Sequence, residues 1–61
     1  MTVSDASERG YDAGQAEAWA AEGLSRFVTR AAARCPISMD GFPDHYAAWC
    51  EGFDRAVAEN L

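Results

Sequence analysis

The sequence predicts an all-α protein, a two-helix hairpin that is completed by homodimerisation. Alanine occurs thirteen times in 61 residues, lysine is absent and β-branched residues are few, so the composition favours helix over sheet. The clearest helical period lies near the C-terminal end, where large apolar residues recur on one face of a helix. These residues are Tyr46, Trp49, Cys50, Phe53, Ala56, Val57 and Leu61. A lone helix of this length is marginal in water, so another helix must cover that face.

A long first helix is expected from about residue 5 to residue 34, after a disordered tail over residues 1–4. Ser4 or Ser7 can cap its start, because a side-chain hydroxyl accepts a hydrogen bond from the free amides at a helix N-terminus. Pro36 ends the helix, because proline disfavours helical geometry at the residue before it.

Glycines interrupt the predicted first helix at positions 10, 14 and 23. Each costs about 1 kcal/mol relative to alanine inside a helix, so a close approach between helices is needed to explain them. Tyr11, Gly14 and Ala18 lie on one side, where the missing side chains leave a groove that an aromatic ring can enter. We expect two antiparallel helices that interlock in this way. The expected structural kernel consists of Tyr11, Gly14, Trp49, Gly52 and Phe53.

The first helix also carries a second, broader apolar stripe, which one short partner helix cannot cover. A chain of this size buries only about 60% of the surface that its unfolded form exposes, and small domains often gain stability by oligomerisation. Both arguments favour a homodimer. The residues expected at the dimer or partner surface are Trp19, Leu24, Phe27 and Val28.

A connector is expected over residues 35–42, with its tightest turn at Asp40-Gly41. Pro43 suits the first position of the second helix, because its fixed φ angle is helical and it has no amide to satisfy. The second helix is predicted over about residues 43–59.

The reactive side chains are few, and we expect no catalytic, cofactor-binding or metal-binding residue. His45 has no serine or cysteine at a spacing that predicts a nucleophile and base pair. Cys35, His45 and Cys50 lack the paired short spacings of structural zinc sites. The two cysteines are expected as free thiols of a cytoplasmic protein, with a Cys35 to Cys50 disulfide as the alternative.

The charge pattern leaves two interpretations of the arginines open. The chain has ten acidic residues and five arginines, for a net charge of −5, so any contact with a phosphate backbone must be local. Arg26, Arg30 and Arg34 recur every four residues near the end of the predicted first helix. They either complement the negative helix terminus and pair with Glu22, or they form a strip that contacts phosphates.

No apolar run reaches the length of a membrane span, and the first residues lack the basic and apolar segments of a signal peptide. We therefore expect a cytoplasmic location and no membrane partner.

Four short segments resemble the ribosome modulation factor family, small two-helix proteins marked by RGYxAG, a central CP and a WxxGW segment near the end. In this chain they are Arg9-Gly10-Tyr11, Ala13-Gly14, Cys35-Pro36 and Trp49-x-x-Gly52-Phe53. The family is strongly basic and has a shorter segment between the tyrosine and the cysteine, so this chain resembles an acidic, elongated variant. The apolar residues of the extra segment favour a dimer or partner surface.

The resemblance implies a non-enzymatic protein that binds the small ribosomal subunit and promotes ribosome hibernation in slow growth. Binding to rRNA would then depend on Arg9, Arg26, Arg30 and Arg34, with Arg55 as a further candidate. The alternative is an acidic protein-binding regulator, of the kind carried by phages or mobile elements, which has kept the scaffold and does not bind rRNA.

Overall fold

The computed structural model describes residues 1–20 and 30–60. Within these ranges the chain forms three helices and no strand: α1 spans Val3–Ala20, α2 spans Ala31–Arg34 and α3 spans Pro43–Asn60. The two long helices, α1 and α3, lie side by side along their length, and α2 packs on α3. The all-α class and the pair of packed long helices of the predicted hairpin are therefore confirmed, as are the connector and the bounds of the second helix.

The start of α1 differs from the expectation of a disordered tail over residues 1–4 followed by a helix capped at Ser4 or Ser7, because α1 begins at Val3. Both serines lie inside the helix, and Thr2 is the cap. The Thr2 hydroxyl accepts a hydrogen bond from the Asp5 amide at 3.0 Å, and the Asp5 carboxylate accepts one from the Thr2 amide at 3.3 Å. This reciprocal capping box satisfies two amides at once. The pKa of Asp5 is lowered, mainly because its carboxylate accepts the hydrogen bond from the Thr2 amide.

A single helix from residue 5 to residue 34 is not formed. Arg30 has extended backbone angles, φ −69° and ψ 149°, and residues 31–34 begin a separate short helix. Ala31 is buried in the same apolar cluster as Ala6. In a continuous helix these two alanines would lie roughly 37 Å apart at 1.5 Å per residue. Burial of Ala31 therefore overrides the local helix propensity of the alanine-rich segment.

The two long helices run in the same direction, whereas the sequence suggested an antiparallel pair. His45 at the start of α3 donates from Nε2 to the Met1 carbonyl oxygen at 2.8 Å. At the other end, Nε1 of Trp19 donates to Oδ1 of Asn60 at 3.3 Å. The starts of both helices thus lie together, as do their ends. The Ala31 position against the Ala6 cluster agrees with a chain that returns to the start of α1 before α3 begins.

Backbone, and not an aromatic ring, occupies the grooves left by the glycines. A Cβ atom added to Gly10 would lie 1.9 Å from the Trp49 carbonyl oxygen, and one added to Gly14 would lie 2.4 Å from the Phe53 carbonyl oxygen. A Cβ atom on Gly52 would lie 2.1 Å from the Ser7 carbonyl oxygen. The glycine Cα–H groups face these carbonyl groups, an arrangement typical of weak Cα–H···O contacts between helices. The expectation that rings enter the grooves is wrong.

The aromatic core lies beside this backbone contact. Trp49 is 4% exposed and Phe53 is 1% exposed, and their rings stack with centroids 5.3 Å apart and planes 20° apart. Ala31 from α2 is buried with them, and Cys35 and Ile37 of the connector pack against the same cluster. The core is therefore closed by α2 and the connector.

The helix contact predicts that Gly10→Ala destabilises the protein although alanine is the better helix former. The new methyl group would meet the Trp49 carbonyl oxygen, so α1 and α3 must separate. Overpacking typically costs 1–3 kcal/mol, and the gain in helix propensity offsets only about 1 kcal/mol. We expect a fall in Tm of about 10 °C, measured by circular dichroism.

The matched control for this substitution is Gly41→Ala in the connector. A Cβ atom at Gly41 has only Ser38 atoms nearby, at 3.8 Å, which is ordinary van der Waals contact. Its amide still donates to the Ser38 hydroxyl. Gly41→Ala should leave Tm within about 2 °C of the parent value. Equal Tm values for the two variants would contradict the proposed cause.

Candidate functional site

The structure brings the residues of the expected structural kernel to one interface between α1 and α3. Gly14, Gly52, Trp49 and Phe53 are buried there, and Tyr11 is half-buried at its edge. Gly10 and Ser7 belong to the same contact, although neither was named in the kernel. The recurrence of small residues every four positions along α1 is the signal that could have identified Gly10. These residues hold the two helices together, and exposed residues lie on the flanks of the interface.

Of the three arginines predicted to form a strip, the two within the described residues, Arg30 and Arg34, do not recur along one helix. Arg30 is extended and exposed, so it does not share a continuous helix with Arg34. Arg34 ends α2 and lies 3.6 Å from the Glu17 carboxylate of α1, with 56% of its side chain exposed. Arg9 is exposed on α1. Arg26 and its expected partner Glu22 lie outside the described residues.

One flank of the helix pair forms an open groove of about 600 Å³. This outer groove is lined by Glu8, Tyr11, Asp12, Arg55 and Glu59. The Tyr11 hydroxyl donates a hydrogen bond to the Glu59 carboxylate, and the Arg55 guanidinium lies over the Tyr11 ring, 5.2 Å from its centroid. The hydrogen bond to Glu59 is the main cause that raises the pKa of Tyr11, followed by desolvation.

The charge of the outer groove disfavours phosphate. Its three carboxylates surround one guanidinium, which is already placed against an aromatic ring. Negative groups of this density repel a nucleic-acid backbone and attract cationic groups. Sequence reasoning did not identify this groove. The four-residue spacing of Arg55 and Glu59, which puts both on one face of α3, is the sequence feature that could have indicated the groove.

The opposite flank carries Cys35 and Cys50, which pack against the core at the joint between the connector and α3. Cys35 and Tyr46 are near enough to Cys50 to influence the pKa of its thiol. The Cys35 thiol in turn donates to the Ile37 carbonyl oxygen at 3.8 Å. Burial is the largest cause that raises the pKa of Cys50 and that of Tyr46, and Cys35 adds to both. The two cysteines are free.

A second cleft, of about 450 Å³, lies at the end where both long helices begin. It is mainly apolar and is lined by Met1, Pro36, Ile37, Ser38, Phe42 and His45. The Phe42 and His45 rings pack edge to face, with their centroids 5.9 Å apart. Because Nε2 of His45 donates to the Met1 carbonyl oxygen, the ring has a structural role at the helix start.

Of the residues expected at a dimer or partner surface, Trp19 is the one within the described ranges. Its side chain is 65% exposed near the end of α1, and its indole nitrogen contacts Asn60. Leu24, Phe27 and Val28 lie outside the described residues. The dimer remains a prediction.

Residues 1–20 and 30–60 contain no group of three or more histidine, cysteine, aspartate or glutamate side chains that could hold a metal ion. Over the same ranges, no helix has the length and apolar character needed to cross a membrane.

Comparisons with known proteins give no match, whether to a protein-family model, to a curated protein or to a solved structure.

The outer groove predicts that Glu59→Gln lowers the pKa of Tyr11 towards its ordinary value of 10.0. Because the raised pKa belongs to the folded state, Tyr11 contributes stability below pH 10 that is lost as pH rises through that raised value. The variant has less of this stability to lose. Its unfolding free energy should therefore fall less steeply with pH on the alkaline side.

The pKa is measured from phenolate ultraviolet absorbance in a Tyr46→Phe background, which leaves Tyr11 as the one titrating tyrosine. Glu8→Gln is the matched control, because it removes one negative charge from the same groove and leaves the Tyr11 to Glu59 hydrogen bond in place. An equal pKa change in both variants would show that the overall charge of the groove, and not the hydrogen bond to an ionised carboxylate at position 59, raises the pKa of Tyr11.

Proposed function

We propose that this chain is a ribosome modulation factor-like, non-enzymatic protein that associates with the small ribosomal subunit and acts in ribosome hibernation or translation control in the cytoplasm. The proposal is supported by the position of the segments that carry the resemblance. Gly10 and Gly14, from the first two segments, contact the backbone of the Trp49 to Phe53 segment. Cys35 packs against the same core. Residues far apart in the sequence thus serve one helix contact.

This arrangement assigns most of the resembling residues to the scaffold. Gly10, Gly14 and Gly52 are required by the close backbone contact, and Trp49 and Phe53 by the core. Contact with rRNA would therefore use exposed cations, and the described ones are Arg9, Arg30, Arg34 and Arg55. Arg55, the further candidate, lies in the carboxylate-rich outer groove, so the proposal assigns the rRNA contact to the other three. Because the net charge is −5, these contacts must be local and sensitive to salt.

A second function, an acidic protein-binding regulator, is favoured by the outer groove. The three carboxylates there suit a cationic peptide segment better than a phosphate backbone. This reading places the partner on the Tyr11 and Glu59 flank, whereas rRNA binding would place it on the flank that carries Arg34 and α2. The two functions therefore predict sensitivity to different substitutions.

Co-sedimentation with ribosomes in a sucrose gradient tests the first function. We expect the chain to travel with the small subunit at low salt and to dissociate at moderate salt. A triple variant, Arg9→Ala with Arg30→Ala and Arg34→Ala, should bind at least about tenfold more weakly, because three phosphate contacts are lost. Each lost contact should also reduce the slope of log affinity against log salt concentration by about 1.

Arg55→Ala is the matched control for charge, because it removes an arginine from the carboxylate-rich outer groove. It should retain ribosome binding, and circular dichroism should confirm that all variants remain folded. Equal weakening by Arg30→Ala and Arg55→Ala would indicate a general charge effect. Migration free of ribosomes at low salt, together with one co-purifying protein that is lost on Glu59→Gln, would instead support the acidic regulator.

A further inference from the structure

The two cysteines of this chain pack against the same core cluster although 14 residues, 36–49, separate them in sequence. Cys35 follows the last residue of α2, and Cys50 lies within α3. Both side chains are half-buried and pack against the cluster that contains Trp49 and Phe53. This placement depends on the break before α2, because a single helix through residue 34 would carry Cys35 away from α3.

The surroundings of the two thiols place them near each other. The Cys35 thiol donates to the Ile37 carbonyl oxygen at 3.8 Å, and Cys35 and Cys50 pack against the same core cluster. Cys35 and Tyr46 are near enough to Cys50 to influence the pKa of its thiol. Neither thiol has a metal site around it in residues 1–20 and 30–60. Two thiols held together in this way are a candidate for covalent modification and not for metal binding.

We propose that Cys35 and Cys50 are a reversible modification site that forms an intramolecular disulfide when the chain meets a small-molecule disulfide such as oxidised glutathione. The bond would join the end of α2 to the middle of α3 and so fix the connector against the core. The reduced form described here is the other state of the site. This inference does not depend on ribosome binding.

The reaction proceeds by two thiol–disulfide exchanges. The Cys35 thiolate attacks one sulfur of the small disulfide, which forms a mixed disulfide and releases one small thiolate. Cys50 then attacks the Cys35 sulfur, the protein disulfide forms, and the second small thiolate leaves. The two cysteine protons end on the two small thiols, so one small disulfide is reduced for each protein dithiol oxidised.

The first step is assigned to Cys35 because burial and its neighbours keep Cys50 protonated, and the thiolate is the attacking form. The second step is favoured by proximity, because the attacking and attacked sulfurs belong to the same folded chain. Cys50 therefore acts as the resolving thiol, and Cys35 as the thiol that meets the oxidant.

Intact-mass measurement under native conditions, with excess oxidised glutathione and at low protein concentration, tests the proposal. The parent chain should lose the mass of two hydrogen atoms and remain a single polypeptide. Peptide mapping should place the bond between Cys35 and Cys50. Reduction should restore the original mass. Because the bond closes a loop of about 15 residues, the oxidised form should unfold about 12–24 °C higher than the reduced form.

Cys50→Ser is the informative variant, because it removes the resolving thiol with little change in size. It should stop at the mixed disulfide and gain the mass of one glutathionyl group on Cys35. Cys35→Ser should react more slowly, at Cys50. Two free thiols in the parent after prolonged exposure, a stable mixed disulfide in the parent, or mainly disulfide-linked pairs of chains would each overturn the proposal.

Discussion

The close backbone contact between α1 and α3 is the constraint from which the rest of the structure follows. Where glycine Cα–H groups face carbonyl groups of the other helix, no side chain fits between the two helices. The large rings of α3 must therefore pack to one side of the contact, and stacked Trp49 and Phe53 do so. A core that lies beside a helix pair needs a third covering element. Ala31 of α2 and Ile37 of the connector supply it.

The same contact makes the two flanks of the helix pair chemically different. By helical geometry, Tyr11 and Ala13 lie on opposite sides of the buried stripe of α1. Ala13 packs against the core cluster on the covered flank, whereas Tyr11 contacts Glu59 and Arg55 in the outer groove. The covered flank is apolar and contains the two thiols. The open flank is held by polar contacts between exposed side chains, which contribute little to stability individually.

The sequence was a good guide to local structure and a poor one to the relation between helices. Pro43 and the apolar period of α3 determine that helix locally, so its bounds were predictable. The direction of α1 relative to α3 was not predictable, because regularly spaced glycines permit both the parallel and the antiparallel orientation. The break at Arg30 has no local breaker, and depends on burial of Ala31 in a distant cluster. The thiol contact and the outer groove depend on that same tertiary arrangement, so residue spacing could not reveal them.

A resemblance to a family can indicate a fold without indicating what the protein binds. Here the glycines and rings that carry the resemblance are used by the helix contact and the core, so any chain with this contact would need them. The exposed charge differs between the flanks of the helix pair: Arg34, the last residue of α2, lies on one flank beside Glu17, whereas three carboxylates line the outer groove on the other. Physiological salt screens electrostatic attraction over a Debye length of about 8 Å. A partner would therefore respond to the charges of the flank that it contacts more than to the net charge of −5. The two proposed functions therefore differ in the flank that would contact the partner: the flank of Arg34 for rRNA and the outer groove for a cationic protein segment.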